Sequence, residues 1–189
     1  MENNIVISFI IPAHNSEKFL KRCVESVVKE EKQPKDNNLA EVIIIENGSS
    51  DHTKQIGTAL AEKYENVFLI CSEKGVSNAR NAGVKAAHGE WIFFLDADDY
   101  LPAGTLQKLL DTVNSGKAAD LYIFSYEKGN AIVNVATGEN ADGYEGTGVR
   151  ECLAGMLRNP TRCMAVWGKL FRHSIIQQSS LDFNKKLSL

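Results

Sequence analysis

The chain has 189 residues, 43% of them hydrophobic and 24% charged, with 24 acidic against 21 basic side chains and a formal net charge of −3. That length suits one sizeable domain with a real core, and without a basic excess charge gives no argument for a nucleic-acid partner. No stretch reaches the ~18–20 apolar residues that cross a bilayer, and the opening "MENN" lacks the basic start of a signal peptide.

Ile5–Ile11, "IVISFII", is β-branched and almost wholly apolar, the pattern of a strand buried on both faces. Pro12 stops it. Ser16 is placed to cap a helix whose Phe19, Leu20, Cys23, Val24, Val27 and Val28 share one face. Val42–Ile45 gives a second strand, followed by the turn-forming "ENGSSD", with Asp51 or Ser50 capping a helix that uses Ile56, Ala59, Leu60 and Tyr64.

The alternation continues. Val67–Cys71 reads as a strand, Val76–Ala87 as a helix with Val76, Ala79, Ala82, Gly83 and Ala86 at helical spacing, and Trp91–Leu95 as the next strand. Pro102 suits the first turn of a helix carrying Leu106, Leu109, Leu110 and Val113, and Leu121–Ser125 adds another strand. Strands alternating with helices predict βαβ units, a mostly parallel central sheet and an α/β three-layer sandwich. Beyond Tyr126 the rhythm changes: Glu127–Gly148 reads as a hairpin or excursion, Val149–Leu157 as a helix, and Cys163–Phe171 as mixed.

Cys23, Cys71, Cys152 and Cys163 are dispersed without a C-x-x-C pair. They read as free thiols of a reduced, cytoplasmic protein, with Cys23 and Cys71 in buried patterns.

Ligands of open α/β sheets bind outside the carboxyl ends of the strands. Here those ends lead into "PAHN" (Pro12–Asn15), "ENGSSD" (Glu46–Asp51), "SEKGVSNARN" (Ser72–Asn81) and "DADD" (Asp96–Asp99), all polar and rich in carboxylates and amides. Hard divalent cations bridge one or two carboxylates to substrate phosphates. Asp96 and Asp98, two apart at a strand end, can face the same way; Asp99 reads equally well as part of a helix start. Arg80 can pair with a diphosphate or brace the aspartates. No nucleophile motif accompanies His14, and His52, His88 and His173 lack metal-ligand spacing, so none of the four histidines reads as catalytic.

Four ordered stretches, "SFIIPAHNSEKFLKRCVESV", "EVIIIENGSSDHT", "GVSNARNAGVKAAHGEWIFFLDADDYL" and "WGKLFRHSII", resemble the family 2 glycosyltransferases of the GT-A (Rossmann-like) fold. The resemblance spans nearly the whole chain, with residues 127–162 matching loosely. It implies transfer from a nucleotide-sugar, usually a UDP-sugar, to a saccharide or lipid-linked acceptor hydroxyl, with Mn²⁺ or Mg²⁺ and inversion in a single displacement. By position, Pro12, Ala13, His14 and Asn15 form the base- and ribose-binding loop together with Glu46 and Asn47. Arg80 is the arginine of the A-R-N motif near the nucleotide. Asp98 is the metal-binding aspartate of the D-x-D, with Asp96 as its partner and Ala97 between them. The resemblance also implies cell-surface polysaccharide synthesis in the cytoplasm or at the inner face of the membrane.

Two departures stand out. Glu46–Asn47 replaces the family's usual pair of aspartates. The Glu-Asp motif that supplies the general base is expected beyond Leu189, so no residue here is assigned that role, Asp182 included. The chain therefore reads as the N-terminal fragment of a longer enzyme. Residues 1–125 would be the nucleotide-sugar half and 126–189 the truncated start of the acceptor side, within a single domain.

Other α/β readings fit less well. An aspartate-nucleophile phosphatase wants glycine and threonine after its second aspartate, where this chain has Asp99 and Tyr100. A dinucleotide oxidoreductase needs G-x-G-x-x-G after the first strand, and a nucleotidyltransferase a Gly-rich basic loop there; "PAHNSEKF" has no glycine. A non-catalytic nucleotide-sugar-binding module is the alternative from another class.

Overall fold

The computed structural model describes residues 5–29, 39–115, 119–124, 126–128, 131–133, 165–178 and 182–184. Within them the elements run β1 (Ile7–Ala13), α1 (Leu20–Val28), β2 (Ala40–Glu46), α2 (Thr53–Lys63), β3 (Val67–Cys71), α3 (Val76–Ala86), β4 (Trp91–Phe94), α4 (Thr105–Val113), β5 (Leu121–Ile123), β6 (Tyr126–Lys128), β7 (Ala131–Val133), β8 (Lys169–Arg172) and α5 (His173–Gln178). The expected helix at 149–157 lies outside the described residues, as do Cys152 and Cys163. No helix among the described residues is long and apolar enough to cross a membrane.

Six strands form one sheet in the order β3-β2-β1-β4-β8-β5. β1 to β4 are mutually parallel, whereas β8 runs antiparallel between β4 and β5. The β6–β7 pair is the expected hairpin. The two-sided burial of "IVISFII" is explained by the two cores. Ile7, Phe9 and Ile11 pack with α1, α2 and α4, while Ile10 packs with Ile43, Ile45, Ile92, Phe94 and Ala79 of α3 on the opposite face. Helices on both faces make the α/β three-layer sandwich.

Close packing of α3 on the sheet depends on Gly83. A β-carbon there would stand 2.3 Å from Ile10 Cγ2.

The local readings need several corrections. Ser16 does not cap α1: Phe19 holds the N-cap position without a side-chain bond, and the Ser16 hydroxyl donates to the His14 carbonyl while its own carbonyl accepts from Leu20 N at 2.9 Å. Phe19 is 43% exposed, because it precedes the helix and turns toward the strand ends. Ala59 faces solvent and Gly57 takes the core position in α2. On α3 the buried face is Ser77, Ala79, Asn81 and Gly83, so Val76 is exposed. α4 starts at Thr105, after Gly104 at φ +79°, and Pro102 supplies the carbonyl of the preceding turn. Cys71 is exposed because it ends β3, the edge strand; Cys23 is buried as expected.

Candidate functional site

Register sets the floor of the site. Ala13 pairs with Glu46 and Glu46 with Cys71, so β1, β2 and β3 end level. β4 ends earlier, with Phe94 opposite Ile10. The chain then continues beside the upper part of β1, Leu95 N donating to the Ile10 carbonyl at 3.0 Å. Leu95 and Ala97 bury into the α1–α4 side. Asp96, between them, faces Arg80 on α3, and the chain then turns, Asp99 N donating to the Asp96 carbonyl.

The loops after β1 and β2 are laced together. Asn15, at φ +51°, accepts from Ser50 N through Oδ1 at 2.9 Å, and its own N donates to Ser49 Oγ at 3.1 Å. Ser16 N donates to Thr53 Oγ1 at 2.7 Å and Glu17 N to Asp51 Oδ2 at 3.1 Å. Asp51 Oδ1 also accepts from Thr53 N at 2.9 Å, although the N-cap position of α2 is held by His52 rather than by Asp51 or Ser50. Asn47 extends the lacing to a third loop, its Oδ1 accepting from Gly75 N at 2.8 Å.

Between these loops lies a depression of about 330 Å³, lined by Pro12, His14, Asn15, Ser16, Phe19, Asn47, Val76, Asp96, Ala97 and Asp98. A larger, mainly apolar hollow of about 570 Å³ runs along the β3 edge from Ile43 to His88. We assign function to the smaller one, because the strand-end loops converge there and its walls carry the carboxylates.

The predicted residues divide. Pro12, His14, Asn15, Asn47, Asp96, Ala97 and Asp98 line the depression together. Ala13 is fully buried and meets the site through its carbonyl, which accepts from Asn47 N at 3.0 Å. Glu46 is 6% exposed and folded into its own loop, Oε1 accepting from Ser49 N at 2.5 Å. Burial raises the Glu46 carboxyl, but the hydrogen bonds from Ser49 and Gly48 outweigh it and hold it below the usual range. Arg80 stands behind the aspartates, Nη2 to Asp96 Oδ1 at 3.6 Å, with its Nε buried and without a partner among the described residues.

Burial raises the Asp96 carboxyl; Arg80 lowers it and Asp98 raises it, leaving it above the ordinary aspartate range. Three aspartates thus stand against Arg80 and Arg22, which donates to the Asp98 carbonyl at 2.8 Å. Hard oxygen donors with an excess of negative charge, Asp98 exposed, fit a divalent cation whose remaining ligands come from a substrate. Among the described residues no group of three or more His, Cys, Asp or Glu side chains is placed to hold a metal ion by itself. Cys23 lies under this turn, its thiol pushed up by burial and by the aspartate charges.

Sequence reasoning missed Phe19 and Val76 as wall residues and Asn81 as a buried amide. Trp167 bridges to Phe94 at the end of β4, half-buried. Lys169 is buried, its ammonium donating to the Ala165 carbonyl.

Comparison with known proteins decides the family: residues 8–176 match the model for glycosyl transferase family 2. The chain belongs to that family. It is 29% identical over 184 residues to the Bacillus subtilis (strain 168) protein EpsH, covering 94% of this chain and 50% of EpsH. It is 36% identical over 103 residues to the poly(ribitol-phosphate) beta-glucosyltransferase of Bacillus spizizenii, covering 53% of this chain and 16% of that protein. The crystal structure of S. aureus TarS 1–349 in complex with UDP superposes with a TM-score of 0.77 at 22% identity, covering 97% of this chain and 52% of that TarS chain. A further TarS structure holds UDP-GlcNAc. The likeness establishes the GT-A fold, and the chain spans about half the length of EpsH and of that TarS chain.

Proposed function

We propose that this chain carries the donor site of a glycosyltransferase that moves a sugar from a UDP-sugar to an acceptor hydroxyl with inversion. The observation that carries the reading is the juxtaposition of Asp96, Asp98 and Arg80 at the strand ends, beside the laced loops after β1 and β2. Family membership supports a transferase, and the UDP and UDP-GlcNAc complexes of TarS support a uridine donor.

On this reading Pro12, His14, Asn15 and Asn47 form the wall for base and ribose. Glu46 acts indirectly, by holding the turn at Ser49. Asp98, with Asp96, would hold Mn²⁺ or Mg²⁺, which when bound supplies positive charge opposite the diphosphate leaving group. Arg80 supplies the protein's own cation there, and its partnerless Nε is a donor awaiting an oxyanion. A single displacement needs one general base to take the acceptor proton; no residue of the depression is assigned that part.

The acceptor is proposed to be a saccharide or lipid-linked saccharide of a cell-surface polymer, consistent with the polymer-glycosylating relative. We propose that the chain acts in the cytoplasm, at or near the inner face of the membrane. The test is calorimetric titration of the chain with a panel of UDP-hexoses and GDP-mannose, with Mn²⁺ or with EDTA. Metal-dependent binding of a UDP-hexose supports the reading; binding of GDP-mannose alone, or binding unaffected by EDTA, contradicts it.

A further inference from the structure

Residues 182–184 lie across α3, on the face away from α1. Asn81, 6% exposed, treats that segment as a neighbouring strand. Its Oδ1 accepts from Phe183 N at 2.8 Å and its Nδ2 donates to the Phe183 carbonyl at 3.0 Å. Ser77, one turn earlier on α3, donates to the Asn184 carbonyl at 3.1 Å. The Phe183 ring stands edge-on to Phe94, centroids 5.4 Å apart, and the Arg80 guanidinium carbon lies 5.5 Å from its centroid.

Arg80 needs such a support. Its contact with Asp96, at 3.6 Å, is longer than an ordinary hydrogen bond and does not fix the guanidinium plane. Its Nε has no partner among the described residues. An aromatic face attracts a guanidinium and orients it. We infer that Phe183, held in place by Asn81, is a positioning residue that sets the Arg80 guanidinium for the diphosphate of the donor. The inference rests on the UDP-sugar reading above. It ties the far end of the described chain to the nucleotide side of the site, through a residue that is not among those lining the depression.

The experiment compares Kd for UDP with Mn²⁺ and for uridine alone, by calorimetry and ligand-observed NMR, in the parent chain and in Phe183→Leu, Phe183→Tyr and Asn81→Ala. Phe183→Leu and Asn81→Ala are expected to weaken UDP by about five- to twentyfold, with uridine unchanged. Phe183→Tyr keeps the ring and should keep UDP affinity. In an Arg80→Gln background, Phe183→Leu should have no further effect on UDP. Equal losses for UDP and uridine, or an unchanged Kd for UDP in Phe183→Leu, would overturn this assignment while leaving the donor site intact. A parent chain that binds no UDP would overturn the donor reading, and this assignment with it.

Discussion

Arg80 Nη2 stands 3.6 Å from Asp96 Oδ1, a charge contact too long to be a hydrogen bond. The pair joins α3 to the end of β4 and leaves the guanidinium with capacity to spare. Burial already raises the Asp96 carboxyl, and Arg80 is the group that opposes this. In Arg80→Gln the carboxyl of the metal-free protein rises further. The metal-dependent part of UDP affinity should then fade on acidification at a higher pH than in the parent, and be about tenfold weaker at neutral pH, the scale of one charge-assisted contact. Titrating Kd against pH in both proteins measures the shift; superimposable profiles would exclude Arg80 as the brace of Asp96.

At the opposite end of the sheet, Ser8 Oγ donates to Glu41 Oε1 at 2.6 Å and accepts from Gly89 N at 2.8 Å. Glu41, 1% exposed, also accepts from His88 N at 2.7 Å. Ser8→Ala leaves a buried amide and a buried carboxylate each short of a partner. It should cost about 2–3 kcal/mol in urea unfolding without changing Kd for UDP, because the network lies below the strands rather than at their carboxyl ends.

Gly83→Ala drives a methyl into Ile10 Cγ2, at 2.3 Å from the built β-carbon. Overpacking of this kind costs about 1–3 kcal/mol. In an Ile10→Ala background, which lacks the obstructing Cγ1 and Cγ2, Gly83→Ala should cost less than in the parent, a coupling that a double-mutant cycle in urea would read.

Glu25 joins α1 to α2, its carboxylate 2.8 Å from Lys29 Nζ and 3.3 Å from Lys63 Nζ, with Tyr64 donating at 3.1 Å. The Lys29 contact is the main reason its carboxyl is lowered from 4.5 to about 2. A depressed carboxyl stabilises the fold above its unfolded value, and the contribution is lost as pH falls through the folded value. Glu25→Gln should therefore cost about 0.5–1 kcal/mol at pH 7, the range of partly solvated ion pairs. The gap in Tm between the two proteins should close between about pH 4.5 and pH 2. A gap that persists at low pH would assign the loss to packing.

The parallel half of the sheet was legible because β1, β2 and β4 are buried on both faces and read as unbroken apolar runs, although its strand order was not. The site was legible through the loops that follow those runs. Ala59, Val76 and Phe19 were misjudged for a common reason. Helical spacing gives a face but not its limits, and these three sit where a helix begins or turns from the core toward solvent or the crevice. Cys71 was misjudged because an apolar pattern does not distinguish an edge strand from a central one. Glu46 was read as a ligand group because its type and position fit; the sequence did not reveal that its Oε1 also accepts from Ser49 N in its own turn. The Ser8–Glu41 network and the Asn81–Phe183 clamp join residues 33 and 102 positions apart. No local pattern announces such partners.

The most direct measurement of the central claim is the thermal unfolding of this chain with UDP and Mn²⁺, separately and together, beside Asp98→Asn. With ligand at ~100 times Kd, binding adds about 2.7 kcal/mol, or roughly 5–10 °C in Tm for a domain of this size. The account predicts a rise with UDP that needs Mn²⁺ and is lost in Asp98→Asn. An equal, metal-independent rise in both proteins, or none in either, would contradict the assignment of Asp98 and its crevice as a metal-assisted nucleotide-sugar site.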